Sequence, residues 1–531
     1  MTSHSRMGAR VSIAALFAWS ACATAQNSIR TLDVDVSAMI AAAADEGDRF
    51  AQDFPQTIHS DRDGEWTQTT STSIWHFAVH VPGAVSLSFR ATPVALPAGA
   101  TLTVRNGLEE YVYTPADVQE SVLWSRISKG ADLVFEMTVP SQDREHASFS
   151  IDRIQVGFRS LDSATSDSSK LKIQSVEGDA GNCIQNYSCV TTAANSGPAK
   201  ATVALVVANV LECTGTLLND VPGDNTPYVL TARHCQTGTA GNRDPTSASS
   251  VTVYWNAFTP CGEVLHTFYQ SKTPRQTGAV TVVEQEDAWL IRLNQKPVTN
   301  DVYFAGFDAT GGVVEGGYTV HHGSTYTKQL ANWFGQAFSA RKTATSLGGR
   351  YTSHFLGVVN QAGSIAGGAS GGALFDQNNR VTGSLSLGST DTQACPAEPL
   401  RVPSATNVVA EFTSFAAVWN STTDTSSSTG GATLRSVLDP RDSGRLIVNG
   451  ATPGAVASLD GLDQPVSASV DPPVANQTGD SGKGGGGALD WVSLLALTGI
   501  GVLAGAARRL SPLRSRERSK SRAALAPERA I

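Results

Sequence analysis

Apolar and polar residues alternate in short runs through most of this chain, and Pro and Gly interrupt the runs at close intervals. Ile74-Trp75-His76-Phe77-Ala78-Val79-His80-Val81, Val85–Phe89 and Leu102–Val104 show the pattern, and Leu133–Val139 and Phe149–Phe158 follow. Turn signals stand between them at Pro82-Gly83 and Pro97-Ala98-Gly99. Period-two alternation bounded by such turns predicts short strands and a small β-sandwich. Asp162–Lys172 is polar and Ser-rich, which places a boundary near 160–178. A second series of strand-like segments fills 200–415, followed by a Ser/Thr/Gly-rich loop at Ser421–Gly431. Leu434–Leu438, ahead of Asp439-Pro440, reads as a short closing helix or turn, and residues 451–487 read as a Pro/Gly-rich linker. The chain is all-β, with no internal repeat.

Both ends carry addresses. Residues 1–25 hold Arg6 and Arg10, the apolar run Val11–Ala21 and Ala23-Thr24-Ala25 before Gln26, the layout of a secretory signal peptide. A lipidated Cys22 fits this poorly, because Trp19 stands where such signals place a small aliphatic residue. At the other end Lys483 and Gly484–Gly487 lead into Ala488–Ala507, apolar except at its edge, and then Arg508 and Arg509. Twenty helical residues span roughly 30 Å, one bilayer core, and the basic tail 508–531 would stay on the cytoplasmic side. A permanent anchor is the plain reading. Gly stretch, apolar helix and basic tail together also resemble the GlyGly-CTERM sorting signal, which implies trimming by a rhombosortase-like protease and release or surface attachment. The sorting reading is the one adopted.

Composition narrows the class. The 531 residues are 16% charged, against about 25% in an average soluble chain, and carry a net −8. Eight Lys/Arg against two Glu beyond Lys483 lie in the tail from Arg508, so the body is more acidic still. An acidic body argues against a grip on nucleic acid, which needs a basic face. Once the signal segment is set aside, Cys183, Cys189, Cys213, Cys235, Cys261 and Cys395 remain, an even set suited to disulfides in an oxidising compartment. Six cysteines allow fifteen pairings.

Three segments carry candidate chemistry: Thr231-Ala232-Arg233-His234-Cys235, Asp287–Leu293 and Gly367–Phe375 around Ser370. They supply His, Asp and Ser in the chain order of the chymotrypsin-type triad. Each residue alone has a plainer reading. His234 could be a packed core residue, Ser370 a turn residue among glycines and Asp287 a solvated strand edge, with Glu284 or Glu286 competing for the acid role. Together they fit one chemistry. A Ser hydroxyl needs an imidazole to take its proton, and the imidazole needs a carboxylate to fix its tautomer. The glycines let the N–H groups of Gly368 and Ser370 converge on a developing oxyanion, worth about 2.7–4 kcal/mol per donor in measured cases. A Cys213–Cys235 bridge would close a loop of about twenty residues beside His234, worth roughly 3 kcal/mol. A zinc site is disfavoured, because the thiols are spread singly or, at Cys183 and Cys189, wrongly spaced; no metal or other cofactor is expected. His321-His322 reads as structural, since neighbours on a strand face opposite ways.

On these segments, with Cys213–Asn219, Val253–Asn256, Ala305–Asp308, His321-His322 and Leu438-Asp439-Pro440, the chain resembles secreted bacterial trypsin-like serine proteases of the lysyl endopeptidase family. The resemblance runs over about 178–450 and implies a chymotrypsin-like double antiparallel β-barrel with the site between the barrels. It makes His234 the base, Asp287 the orienting acid and Ser370 the nucleophile. It also pairs Cys183 with Cys395, Cys189 with Cys261 and Cys213 with Cys235, and makes 26–177 a propeptide removed near Glu177–Gly178. Departures bear on specificity. Ala369 stands where animal trypsins have the Asp that pairs with a new N-terminus. The two positions where relatives place a pocket carboxylate are Ser364 and, by alignment, Ser404. A basic side chain buried without a carboxylate is costly, so lysine specificity is not carried over. A small neutral pocket is expected, with Glu398 as the one nearby acid.

The reading adopted is an exported or surface-sorted serine endopeptidase, made as a zymogen and acting on protein or peptide substrates. The alternative is an inactive surface-displayed binding or adhesion protein on the same fold. A third reading makes residues 26–177 a retained binding module rather than a propeptide.

Overall fold

The computed structural model describes residues 29–43, 49–159 and 184–453, apart from 108, 240–241, 244, 264, 270–272, 347–348, 389–407, 423–428 and 430. The signal segment, the polar boundary Asp162–Lys172, all but the start of the linker, the apolar stretch 488–507 and the basic tail therefore lie outside the described residues. Among the described residues no helix is long and apolar enough to cross a membrane.

Residues 29–158 form two sheets. One runs in the order Ile29–Thr31, Thr72–His80, Asp132–Pro140, Thr101–Arg105 and Glu110–Tyr113, with Glu65–Gln68 beside Thr72–His80. The other is built on Ala51–His59, Ser148–Gly157 and Ser86–Ala95. Alternation explains how they meet. In Asp132–Pro140 the residues Leu133, Phe135, Met137 and Val139 are buried, while their neighbours are partly exposed. The inward faces join in one core with Trp75, Phe89 and Phe149. Phe89 meets Phe135 edge to face at 5.2 Å and Phe149 at 5.8 Å, the geometry that aromatic quadrupoles favour. This is the expected sandwich.

The rest is a pair of curved sheets, the chymotrypsin-like double β-barrel. The first is seven-stranded, running from Arg275–Thr277 through Val251–Tyr254, Thr202–Val207, Leu211–Leu218, Tyr228–Ala232 and Ala288–Leu293 to Ala279–Gln285. In the second, Ala373–Phe375, Glu315–His321, Gln329–Ser346, Gly349–Ala362, Ala410–Ser414 and Arg380–Gly388 close a ring of six. Each pair within that ring is antiparallel. Strands of the first sheet such as Thr202–Val207 and Leu211–Leu218 are buried at every position, Glu212 included, so they show no alternation. Phe415–Trp419, capped by Ser414 Oγ on Ala417 N, packs on the second half, and Leu434–Leu438 buries Leu434 and Leu438 with the core of the first.

The sandwich and the barrels are in contact. Phe50 and Ile127 come from the N-terminal portion but are buried in the same cluster as the first barrel's core.

Phe135→Ala should destabilise the N-terminal sandwich by about 3–5 kcal/mol, the usual cost of emptying a buried aromatic site. Urea unfolding of the full chain followed by tryptophan fluorescence measures it. A shift below 1 kcal/mol would contradict the packing described.

Candidate functional site

Strand pairing brings His234 and Asp287 together. Tyr228–Ala232 and Ala288–Leu293 run antiparallel, with Ala232 opposite Ala288. His234 lies on the single 3-10 turn that follows the first strand, and Asp287 in the tight turn that precedes the second. Three bonds lock the arrangement. Arg233 N donates to the Asp287 carbonyl at 2.8 Å and His234 N donates to Asp287 Oδ1 at 2.9 Å. His234 Nδ1 lies 2.8 Å from Asp287 Oδ2. Ser386 Oγ, from the second barrel, also donates to Oδ2. Burial by itself would raise the Asp287 carboxyl, but the charge and hydrogen bonds of His234, with Ser386, outweigh it and hold the group below the ordinary carboxylate value. The turn thus presents an ionised acceptor that fixes which ring nitrogen of His234 carries the proton.

Ser370 sits in a turn that only glycine can complete. Gly368 and Gly371 have φ of +93° and +85°. A Cβ on Gly371 would run into Thr231 Oγ1 and the Thr214 carbonyl, and one on Gly368 into the Glu212 carboxylate and the His322 carbonyl. The turn is braced from the first barrel: Thr214 N donates to the Ser370 carbonyl and Thr214 Oγ1 to the Gly368 carbonyl, each at 2.8 Å. Thr214 Oγ1 in turn accepts from His322 N at 3.0 Å. Cys235, next to His234, brings its Sγ to 4.0 Å from the Ser370 carbonyl oxygen. The nucleophile candidate is therefore set beside the imidazole segment by backbone contacts between the two barrels. Both His234 and Ser370 are buried.

The other predicted residues are distributed as follows. The structure joins Cys213 to Cys235 and Cys189 to Cys261. Cys183, Cys395, Ser404 and Glu398 lie outside the described residues. Ser364 is buried close to the Ser370 turn, and its carbonyl accepts from His321 Nε2 at 3.0 Å. Glu284 and Glu286, the competing acids, are engaged elsewhere. Glu284 pairs with Gln236, and Glu286 accepts from Ser353 Oγ and His354 N and lies 2.8 Å from His354 Nδ1. Among the described residues no cluster of His, Cys, Asp and Glu is arranged to hold a metal. His321 and His322 are fully buried, and burial, their largest influence, lowers them to about 4 and about 3.

Sequence reading did not single out Thr214, Ser386 or Glu286 with His354. Ser386 lies in Ser384-Leu385-Ser386-Leu387 at a break in strand register between Leu385 and Leu387, and nothing local in the sequence marks that break. Thr214 sits in a strand whose every side chain is buried. Only the fold distinguishes it.

The fold is that of a chymotrypsin-like double barrel. Residues 177–399 match the family model of the lysyl endopeptidase C-terminal domain, a span that holds His234, Asp287 and Ser370. Among solved structures, the active form of the Rv3671c protease from M. tuberculosis aligns at 15% identity and a TM-score of 0.28, over 44% of this chain and 84% of that one. The MamO protease domain from Magnetospirillum magneticum aligns at 15% identity and 0.24, over 41% and 92%. The family match and the barrels of this chain support a serine protease of the trypsin type.

The buried histidines set a pH dependence. Their folded values lie below the unfolded value of about 6.5, so the unfolded chain binds more protons as pH falls. The stability tied to them is full above pH 6.5 and drains away as pH drops toward 4. Asp287, also depressed, adds loss only at lower pH, through its folded value. Urea midpoints should hold between pH 7.5 and about 6.5 and then fall toward pH 4.5. His321→Gln, which keeps a donor for Ser364, should reduce that slope by up to one proton, and an unchanged slope would refute the assignment.

Proposed function

We propose that this protein is a serine endopeptidase that cleaves peptide bonds through Ser370, His234 and Asp287. The observation that carries the reading is the buried His234–Asp287 pair, set beside a glycine-strained turn that presents Ser370. In the reaction Ser370 Oγ attacks the scissile carbonyl while His234 Nε2 takes its proton, with Asp287 holding the proton on Nδ1. The carbonyl oxygen, now an anion, is met by the N–H groups of Gly368 and Ser370. His234 then passes its proton to the departing amine. Water attacks the acyl-enzyme with His234 again as base, which releases the acid and restores Ser370. The chemistry calls for no cofactor.

Specificity follows from what surrounds the scissile residue. Ser364 offers no charge for a lysine or arginine side chain, so a small neutral residue is the preferred acyl-side partner. Three features support a zymogen: the sandwich ahead of the barrels, its contact with the barrel core and the resemblance of 26–177 to a propeptide cut near Glu177–Gly178. Export by the signal segment 1–25, and sorting through 484–531 in the manner of GlyGly-CTERM proteins, complete the reading. They put the mature enzyme outside the cytoplasm, where a rhombosortase-like protease is its processing partner.

Fluorophosphonate labelling of the exported protein tests the chemistry. The wild type should label and Ser370→Ala should not, and Asp287→Asn should lower turnover by about 10⁴, as loss of the orienting acid does in a chymotrypsin-type triad. Absence of labelling in the wild type after processing would overturn the reading in favour of an inert binding protein. Mass spectrometry of the C-terminus tests the sorting: an end within 484–488 supports trimming, and Ile531 recovered from membranes supports a permanent anchor.

A further inference from the structure

The strand Leu211–Leu218 has two flanks. Thr202–Val207 pairs along one of them from Leu211 to Thr216. On the other flank Tyr228–Ala232 pairs only with Thr216–Leu218, so the stretch before Thr216 is open to other partners. Thr214 N uses it to hold the Ser370 carbonyl. Further along, the segment leading into the N-terminal sandwich bridges to it. Phe50 N donates to the Val210 carbonyl at 3.1 Å, and Arg49 bridges antiparallel to Leu211. Leu211 is three residues from Thr214, roughly 10 Å at strand rise.

The side chains reach the same place. Phe50 is buried with the core of the first barrel rather than with that of its own sandwich, and its ring meets Tyr269 edge to face at 5.8 Å. Burial, and after it the charge of Glu212, pushes the Tyr269 hydroxyl well up, which puts that carboxylate close to it. Glu212 Oε1 accepts from Thr325 N at 2.9 Å and abuts Gly368, whose N–H is a proposed oxyanion donor. Phe50 is thus two side chains from the reacting carbonyl. A cavity of about 290 Å³ lies alongside, lined by Arg49 and Asp53 of the sandwich and by Leu211, His234 and Gln236 of the barrel.

Proton transfer says which half of a substrate belongs there. The imidazole gives its proton to the leaving amine, so the leaving-group segment lies within hydrogen-bond reach of His234. The cavity that His234 lines is also lined by Val210 and Leu211, three and two residues before Cys213, whose bridge runs to Cys235 next to His234. We propose that the open flank at Val210–Leu211 and the socket holding Phe50 are a leaving-group-side subsite that takes an aromatic side chain of a peptide substrate in extended form. The intact chain fills this subsite with its own Arg49–Ala51. The inference rests on the peptidase reading for its meaning, but the binding it describes can be measured without catalysis.

The test uses the full chain as wild type, Phe50→Ala and Phe50→Leu, with two acetylated peptides, Gly-Asp-Arg-Phe-Ala-Gln-Asp-Phe and the same peptide with its first Phe replaced by Ala. Calorimetry should show the Phe peptide binding Phe50→Ala roughly 10- to 100-fold more tightly than it binds wild type, the factor expected for one buried phenylalanine. It should exceed the Ala peptide by a similar factor. Phe50→Leu, the milder truncation, should fall between and carries the comparison if Phe50→Ala does not fold. Equal affinity for the two peptides, or no binding to either variant, overturns the proposal. Quenched peptides that differ only in Phe or Ala two residues beyond the scissile bond should then be cleaved with the same preference. Binding without cleavage or fluorophosphonate labelling would keep the subsite and remove the peptidase. Labelling without a Phe preference would do the reverse.

Discussion

The buried carboxylate of Asp287 is the constraint on which the site depends. A charge so far from water is tolerable only when its oxygens are met by hydrogen-bond donors and an opposing charge. Here the backbone and ring of His234 and the hydroxyl of Ser386 supply them, the last from the other barrel. The hydrogen bonds that make burial affordable also orient the imidazole. Stability and chemistry are therefore met by the same atoms, and a change that frees the carboxylate would loosen both.

The barrels are organised around that requirement. The first presents His234 and Asp287 at the ends of two paired strands, where a single residue of register decides whether they meet. The second closes on itself and sends the Ser370 turn back toward the first. Thr214 is the joint, since its amide and hydroxyl hold two carbonyls of that turn at once. His321 and His322 brace the turn from beneath: one ring donates to the Ser364 carbonyl, and the other residue's amide donates to Thr214. Such a scaffold holds the turn without an acidic residue before the serine, consistent with Ala369 at that place.

The N-terminal sandwich has a core of its own, yet it lends Phe50 to its neighbour's. The contact combines a β-bridge at Arg49–Leu211, the buried side chains of Phe50 and Ile127, and a hydrogen bond from Asn209 to the Ser125 carbonyl. That suits a domain which must be held firmly before processing and must separate after it, as the zymogen reading requires.

Much of this was legible in the sequence. Alternation such as Leu133–Val139 marks half-buried strands, because successive side chains of a strand face opposite ways, and the sandwich follows from it. The glycines around Ser370 announce a backbone that other residues cannot adopt, and the order of His234, Asp287 and Ser370 with their flanking strands pointed to one chemistry. The fully buried strands were harder to read, because a run without alternation carries no face. Thr214, Ser386 and Glu212 look like ordinary residues of such strands, and Phe50 like part of a sandwich. Their roles depend on atoms about a hundred residues or more away in the chain, brought into contact only when the barrels close and the sandwich docks. Sequence by itself determined the local conformations and the residue types able to do the chemistry. Tertiary structure alone decided which acid meets the imidazole, what holds the serine turn and where Phe50 is buried, because each is a long-range contact that no local pattern encodes.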